Sequence, residues 1–415
     1  QDSSQKADLK NVLGSVDPNW KSLDYVAGWI FKAAEYSQST KAAFAFVSTN
    51  SVTQGQQVAT LWPSVFRMGM EIFFAHRSFK WANSASRNAG VICVIVGLRP
   101  KAAGEKLLFD GDVAKAVNEI NPYLVEGEAI YVDRLSRPSS GKATMERGNH
   151  LTDGGHLIYS VDEKRVLVAQ HPEATQFVRK MIGAQEFIRG FERFCLVIPD
   201  ASLSEAMAIP AIRTRLDLVA ENRRQSPKQN TRDALSKVPH RFEHSTGLNA
   251  QRVMIIPTVS SERRYWLPVG FAENVVVNAP NFCIYDGEPW NFSVLSSRLH
   301  LHWIASVCGR LKTDFRYSNT LGWNTFPLPK LTEQNKADLT RCAENILLTR
   351  EAHFPATIAD LYDPETMPED LRRAHEENDE VLERIYIGRR FRNDTERLEK
   401  LFELYTKMTG KKAAA

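Results

Sequence analysis

Between Leu311 and Ser318 the text "LKTDFRYS" sets Lys312, Asp314 and Arg316 at alternating positions. Lysine and arginine donate to guanine edges and a carboxylate accepts from cytosine N4. An extended segment would turn all three to one face, offering donor, acceptor and donor to a groove; a salt bridge of Asp314 with Arg316 is the structural alternative. A second constellation is charge density: Arg213, Arg215, Arg223, Arg224, Lys228, Arg232, Lys237 and Arg241 crowd one segment, whereas Glu369, Asp370, Glu376, Glu377 and Glu380 make the last third acidic. The stretch around Arg223 and Arg224 suits phosphates, which position a protein on a duplex without reading it. Over the whole chain 53 Lys and Arg stand against 49 Asp and Glu, a formal net charge of +4, which by itself identifies no nucleic-acid binder.

Other patterns lead less far. His240 and His244 stand four apart, a helical metal-binding spacing, with no third ligand evident; His300 and His302, two apart, diverge on a helix. Cys93, Cys195, Cys283, Cys308 and Cys342 are odd in number and widely separated, against a disulfide framework or a CxxC zinc site and in keeping with a reducing cytoplasm. No secretory leader pattern or run of about 18 apolar residues is present, nor a P-loop, a Ser-His-Asp arrangement or a nuclease carboxylate cluster. "INPYLVEG", Ile120 to Gly127, is one proline short of the tetrapeptide with which amino-methyltransferases hold an amine.

The elements that must position these residues read as follows. Leu23, Val26, Ala27, Ile30, Phe31 and Ala34 recur at helical spacing. "AFAFV" (43–47) is a short buried strand. Val58, Leu61, Trp62, Val65 and Phe66 give a second helix, "MEIFFA" (70–75) a strand and, after the polar loop "HRSFKWANSASRN", "VICVIVGL" (91–98) a third strand. This is the second half of a doubly wound sheet, without the glycine-rich turn that holds a nucleotide-like cofactor. From 104 to 330 short segments such as "AIYVDRL", "GHLIYS", "FCLVIP", "RVMIIPTV", "RYWLPVGF" and "NFCIYD" alternate with turns and one long polar helix, an α+β pattern. Beyond "FPLPK" the text is helical, with Leu371, Ala374, Val381, Leu382 and Ile385 on one helix, Leu398, Leu401, Phe402 and Tyr405 on the next, and Gly410 as a stop.

Stretches in order along nearly the whole chain resemble the single-chain MmeI-like (type IIL) restriction-modification proteins. They include "LDYVAGWIFKAAEY", "AFVSTNSVTQGQQVATLWP", "FFAHRSFKWAN", "GNHLTDGGHLIYS", "IGAQEFIRGFERFCLVIPD", "SSERRYWLPVGF", "GRLKTDFRYSNTLGWNTFPLP" and "LYDPETMPEDLRRAH". The resemblance implies a DNA adenine-N6 methyltransferase that uses S-adenosylmethionine, with its cofactor glycine motif and Asn-Pro-Pro-aromatic tetrapeptide before the segment matching Gln1, so that this chain is the C-terminal portion and is inactive alone. The strands at 43–47, 70–75 and 91–97 would be the fifth, sixth and antiparallel seventh of the sheet, and "NPYL" a turn, with Pro122 fixing the backbone and Tyr123 packing. Chemistry on adenine N6 requires the base to leave the stack; the family places an aromatic for it in the loop between the last two strands, here Phe79, with Trp81 nearby and Arg77 and Lys80 facing phosphates. Ser48 to Ser51 stand at a ligand-binding strand end, or Asn50 or Ser51 caps the next helix. Base choice would fall to Lys312, Asp314 and Arg316 together with Arg263 and Arg264.

The expected organisation is therefore an α/β partial methyltransferase (Rossmann-like) sheet over 1–103, an α+β target recognition domain over 104–330 and an all-α tail over 331–415. Double-stranded DNA and the remaining methyltransferase half are the expected partners. The alternatives are a non-catalytic DNA-specificity subunit acting with a separate catalytic chain and, more remotely, an RNA-binding protein.

Overall fold

A computed structural model describes residues 1–81 and 91–410; the end of the polar loop, 82–90, and the terminal residues 411–415 lie outside the described residues. Helix α1 (Ser3–Leu13) starts on a capping box in which the Asp2 carboxylate accepts from the Gln5 N–H and the Gln5 side chain accepts from the Asp2 N–H. Helix α2 (Val26–Thr40) buries Ala27, Ile30, Phe31 and Ala34, the face its spacing predicts. Strand β1 (Phe44–Thr49), helix α3 (Gly55–Arg67) and strands β2 (Met70–Lys80) and β3 (Ile92–Pro100) follow in the expected order.

β3 lies antiparallel between β1 and β2, so β1 and β2 run the same way, as expected for strands five, seven and six. The sheet then continues past residue 103, where the sequence reading ends it: β4 (Lys106–Asp110) pairs parallel with β2, and β5 (Val113–Val117) antiparallel with β4. This hairpin turns at Gly111, whose φ of +58° suits glycine. Four of the five residues of β5 are exposed, so it carries no apolar run from which to read a strand. At the other end β1 is an edge strand.

The region that follows is built from three small sheets. One orders Gly270–Glu273, Arg252–Pro257, Asn281–Tyr285 and Glu146–Arg147, all antiparallel. Another orders Val276–Val277, Val178–Ile182, Arg193–Leu196 and Ile158–Tyr159, and the third Val259–Ser260, Asp314–Arg316 and Gly309–Leu311. "AIYVDRL", expected to be β-rich, is irregular: its polar backbone is satisfied one group at a time, the Val132 N–H donating to Tyr123 Oη at 3.0 Å and the Leu135 N–H to the Thr320 carbonyl at 3.0 Å. The long polar helix is Pro210–Arg224, whose Ile212, Leu216 and Val219 pack with Leu157, Phe177, Met181 and Leu196 in a core of their own.

The tail is helical as read: Glu333–Ala352, Glu369–Ile387 and Asp394–Thr409, the last closing at Gly410 in the left-handed region. It is no appendage. Its Leu339, Ile346, Leu382, Phe402 and Tyr405 belong to the core that also holds Ile30, Trp62, Val96, Phe292 and Trp303. Trp303, fully buried, meets Phe402 at 5.2 Å and Tyr405 at 5.6 Å between ring centroids. Among the described residues no helix is long and apolar enough to cross a membrane.

Candidate nucleic-acid interface

The segment "LKTDFRYS" is half of a hairpin. Gly309–Leu311 pairs with Asp314–Arg316, and Lys312, at φ 57°, occupies the turn. The expected row of three on one face is therefore corrected: Lys312 sits at the tip, and only Asp314 and Arg316, flanking the buried Phe315, share a face. Sequence alternation holds only within a strand, and the turn breaks it.

On its other side the strand Asp314–Arg316 pairs with Val259–Ser260, Val259 opposite Arg316 and Ser260 opposite Phe315. Two candidate segments some fifty residues apart are thereby brought together. Arg264 is half-buried and its Nη1 donates to Ser260 Oγ at 3.4 Å. Burial pulls its pKa down, while the charges of Asp314 and Asp363 offset that effect. Arg310, which sequence reasoning missed, is locked in place: Nη1 donates to Glu262 Oε2 at 3.2 Å and to the Thr313 carbonyl at 2.6 Å, and the guanidinium lies 4.7 Å from the Phe315 ring centre. None of the ion pairs among the described residues joins Asp314 to Arg316; the Asp314 charge acts instead on Arg264 and Arg310. Arg263 is exposed and pairs with Glu365, with Asp363 at 3.8 Å.

Phe79 lies within β2, opposite Cys93, rather than in the following loop. The ladder there is irregular, with a register shift between His76 and Phe79, and bulged strands escape a period-2 reading. Phe79 is half-buried, Lys80 exposed and Trp81 43% exposed, the Trp81 N–H donating to the Val91 carbonyl at 2.9 Å. Arg77, expected to face phosphates, has partners within the chain. Its Nε donates to the Leu124 carbonyl at 3.2 Å, and its Nη1 to Asp110 Oδ2 at 3.1 Å and Thr395 Oγ1 at 3.2 Å, which ties β2 to the "NPYL" turn and the last helix.

The larger correction concerns Arg223. Fully buried, it donates to five carbonyls, those of Leu151, Thr152, Leu235, Val238 and Arg241, at 2.8–3.1 Å. It cannot track phosphates; it staples two loops to its helix. Burial is the cause of its lowered pKa. Arg224, one position on and therefore about 100° round the helix, is exposed and pairs with Glu221.

The remaining candidates, Asn50 apart, have partners within the chain. Asn121 Oδ1 accepts from the N–H groups of Tyr123 (2.9 Å) and Val125 (3.2 Å), and the buried Tyr123 ring stacks on Phe402 at 5.0 Å. His240 Nε2 meets Asp200 at 2.8 Å. His300 Nε2 meets Tyr317 Oη at 2.8 Å, its pKa pushed down to about 3 by burial and the Lys142 charge. His302 pairs with Asp394 at 2.9 Å. Among the described residues no group of three or more His, Cys, Asp or Glu could hold a metal. At the end of β1, Ser51 Oγ donates to Asp24, and α3 has Gln54, not Asn50 or Ser51, at its N-cap. Asn50 is buried and its Nδ2 has no hydrogen-bond partner.

A five-stranded methyltransferase-type sheet, packed on a β-rich lobe that gathers arginines and followed by helices, defines the class of protein. Family models agree in order along the chain: the MmeI DNA-methyltransferase domain matches residues 1–110, the MmeI target recognition domain 126–330 and the MmeI C-terminal domain 331–412. The chain belongs to the MmeI-like family of restriction-modification methyltransferases. A structure of the type IIL restriction-modification enzyme MmeI in complex with DNA superposes over 99% of this chain and 56% of that one, with a TM-score of 0.88 at 36% identity. DNA methyltransferase A of Bacillus subtilis (strain 168) is 40% identical over 411 residues, 99% of this chain and 46% of that protein. The chain thus spans about half the length of the relatives it matches.

Proposed function

We propose that this chain is the DNA-reading portion of a restriction-modification methyltransferase that moves a methyl group from S-adenosylmethionine to adenine N6. The observation that carries the reading is the pairing of Val259–Ser260 with Asp314–Arg316, which gathers Arg263, Arg264, Asp314 and Arg316, with Lys312 at the adjoining tip. Those residue types discriminate base edges. Arg224 and Lys80, exposed, serve as phosphate contacts, and Phe79, with Trp81, takes the extruded adenine at the end of β2.

S-adenosylmethionine supplies the methyl group and is held in the remaining half of the sheet, which docks at the open edge of β1. Support comes from the exposed Val47 on that strand and the exposed Trp29 and Tyr36, seven apart on one face of α2. The unpartnered Nδ2 of Asn50, buried at the β1 end, fits a site that this half only partly builds. The five cysteines are free, in keeping with work in a reducing cytoplasm.

The 415 residues alone are expected to retain a specific duplex in a gel-shift assay at moderate salt and to transfer no labelled methyl from S-adenosylmethionine. Turnover by this chain alone would sink the assignment of catalysis to another segment. Equal affinity for every duplex, or preference for RNA, would sink the reading role.

A further inference from the structure

The segment 261–269, between strands ending at Ser260 and beginning at Gly270, has no regular secondary structure. Its shape is therefore imposed by what it touches, and the helical tail holds it at Arg263, Tyr265, Trp266 and Val269. Arg263 pairs with Glu365 and Asp363. Arg372 lies 5.5 Å from the Tyr265 ring centre. The Trp266 indole, 2% exposed, donates from Nε1 to Asp379 Oδ2 at 2.8 Å and stacks on His375 at 4.8 Å and 21°. Arg350, also buried, donates to the Val269 carbonyl.

Asp379, His375 and Arg350 form one connected network with Trp266 and Tyr362. Asp379 Oδ1 accepts from the Arg298 N–H at 2.8 Å, so both carboxylate oxygens are used. His375 Nε2 meets Tyr362 Oη at 2.7 Å, and Arg350 Nη2 reaches the same hydroxyl. A buried carboxylate facing an indole N–H is costly to hold unless its acceptors are satisfied. Hydrophobic packing alone would not require an Asp, a His and an Arg here. What such a network provides is a fixed geometry, and the segment it fixes presents Arg263 and Arg264.

We propose that the helical tail is the positioning element of the base-reading segment, with the Trp266–Asp379 hydrogen bond as its keystone. Trp266, Asp379 and His375 are specificity-positioning residues: buried, they touch no DNA, yet they set where Arg263 and Arg264 point. This rests on the DNA-reading role proposed above.

The test is selection from a pool of duplexes with a randomised central region, using the 415-residue chain, alongside a fixed-sequence competitor duplex for non-specific affinity. Trp266→Phe keeps the ring on His375 and removes only the Nε1 donor. The expected result is a cooperative thermal melt, unchanged competitor binding, and a selected profile broadened at a subset of positions, discrimination there falling about tenfold, the scale of one well-aligned base contact. Tyr386→Phe removes a buried bond of the same tail to the Pro327 carbonyl, away from the segment, and should leave the profile as in the parent.

A folded Trp266→Phe protein with the parental profile overturns the positioning role and leaves DNA reading intact. A parent that selects no sequence overturns both. If Trp266→Phe does not fold, the exposed Glu365→Gln with the half-buried Arg372→Gln replaces it: broadening in the same direction supports the proposal, and an unchanged profile overturns it.

Discussion

At the scale of single residues, charge type predicted less than burial. Arg223 and Arg224 read alike in the sequence, yet one guanidinium is spent on five carbonyls and the other faces solvent. Arg223→Ala should cost about 3–5 kcal/mol in urea denaturation, since it strands several buried acceptors, whereas Arg224→Ala should stay within about 0.5 kcal/mol and act only on DNA affinity. Equal effects would contradict the distinction. Nothing in one sequence tells such neighbours apart, because the five carbonyls come from two separate segments, one just after the helix and one some seventy residues before it. Lys142 gives a pH signature. Burial, with the Phe326 carbonyl at 2.6 Å and Ser139 Oγ at 3.2 Å as its hydrogen-bond partners and no carboxylate paired with it among the described residues, brings its pKa down to about 7. Between pH 7 and 9 the unfolded chain holds the proton and the folded chain releases it, so this group makes stability rise with pH, by at most about 1.4 kcal/mol per unit. Below pH 7 both states are charged and its contribution is level. Lys142→Met should flatten that rise in denaturation curves at pH 7, 8 and 9; an unaltered slope would show that the ammonium is not desolvated.

At the scale of elements, what was legible followed from periodicity and what was missed followed from turns. The buried faces of α2 and α3, the order of β1, β2 and β3, and the tail helices all announce themselves in apolar spacing. The β4–β5 hairpin and the strand containing Phe79 do not, because β5 is mostly exposed and β2 carries a bulge. The hairpin of Gly309–Leu311 and Asp314–Arg316 was half legible: Asp314 and Arg316 share a face, but no pattern marks Lys312 as a turn residue, since lysine pays a steric penalty at φ 57°. That makes a separable prediction. Lys312→Gly should stabilise the protein by about 0.5–1 kcal/mol by relieving the left-handed backbone, while lowering DNA affinity and reducing the salt slope of binding by about one charge if the tip meets a phosphate. Thermal melts and binding at several salt concentrations measure the two effects separately, and a destabilised variant would overturn the first.

At the scale of the whole molecule, sequence divisions and packing divisions differ. The tail reads as a distinct helical stretch, yet its apolar residues complete the core that runs from Leu9 through Trp303 to Tyr405. The lobe within the recognition region reads as continuous with its surroundings, yet Leu157, Phe177, Met181, Leu196 and Ile212 form a separate core. The chain also enters and leaves this lobe at one place: the His150 N–H donates to the His244 carbonyl at 3.0 Å, and the His244 N–H to the His150 carbonyl at 3.2 Å. Two deletions should therefore behave in opposite ways. Removing 331–415 would bare Trp303, Phe292 and Trp266, apolar surface large enough to favour aggregation, so the remainder should lose its cooperative melt and bind a hydrophobic dye. Excising 151–243 and joining His150 to His244 through a short glycine linker removes a stretch of similar length but opens little of the main core. It loses the parallel pairing of Val276–Val277 with Met181 and Ile182, the Arg179 bond to the Leu248 carbonyl, and the packing of Ile182 and Phe187 against the small core of Val253, Ile255 and Val277. That shortened protein should melt cooperatively within a few degrees of the parent. A dye-binding, non-cooperative excision product beside a well-folded tail deletion would reverse the assignment of which part is the scaffold.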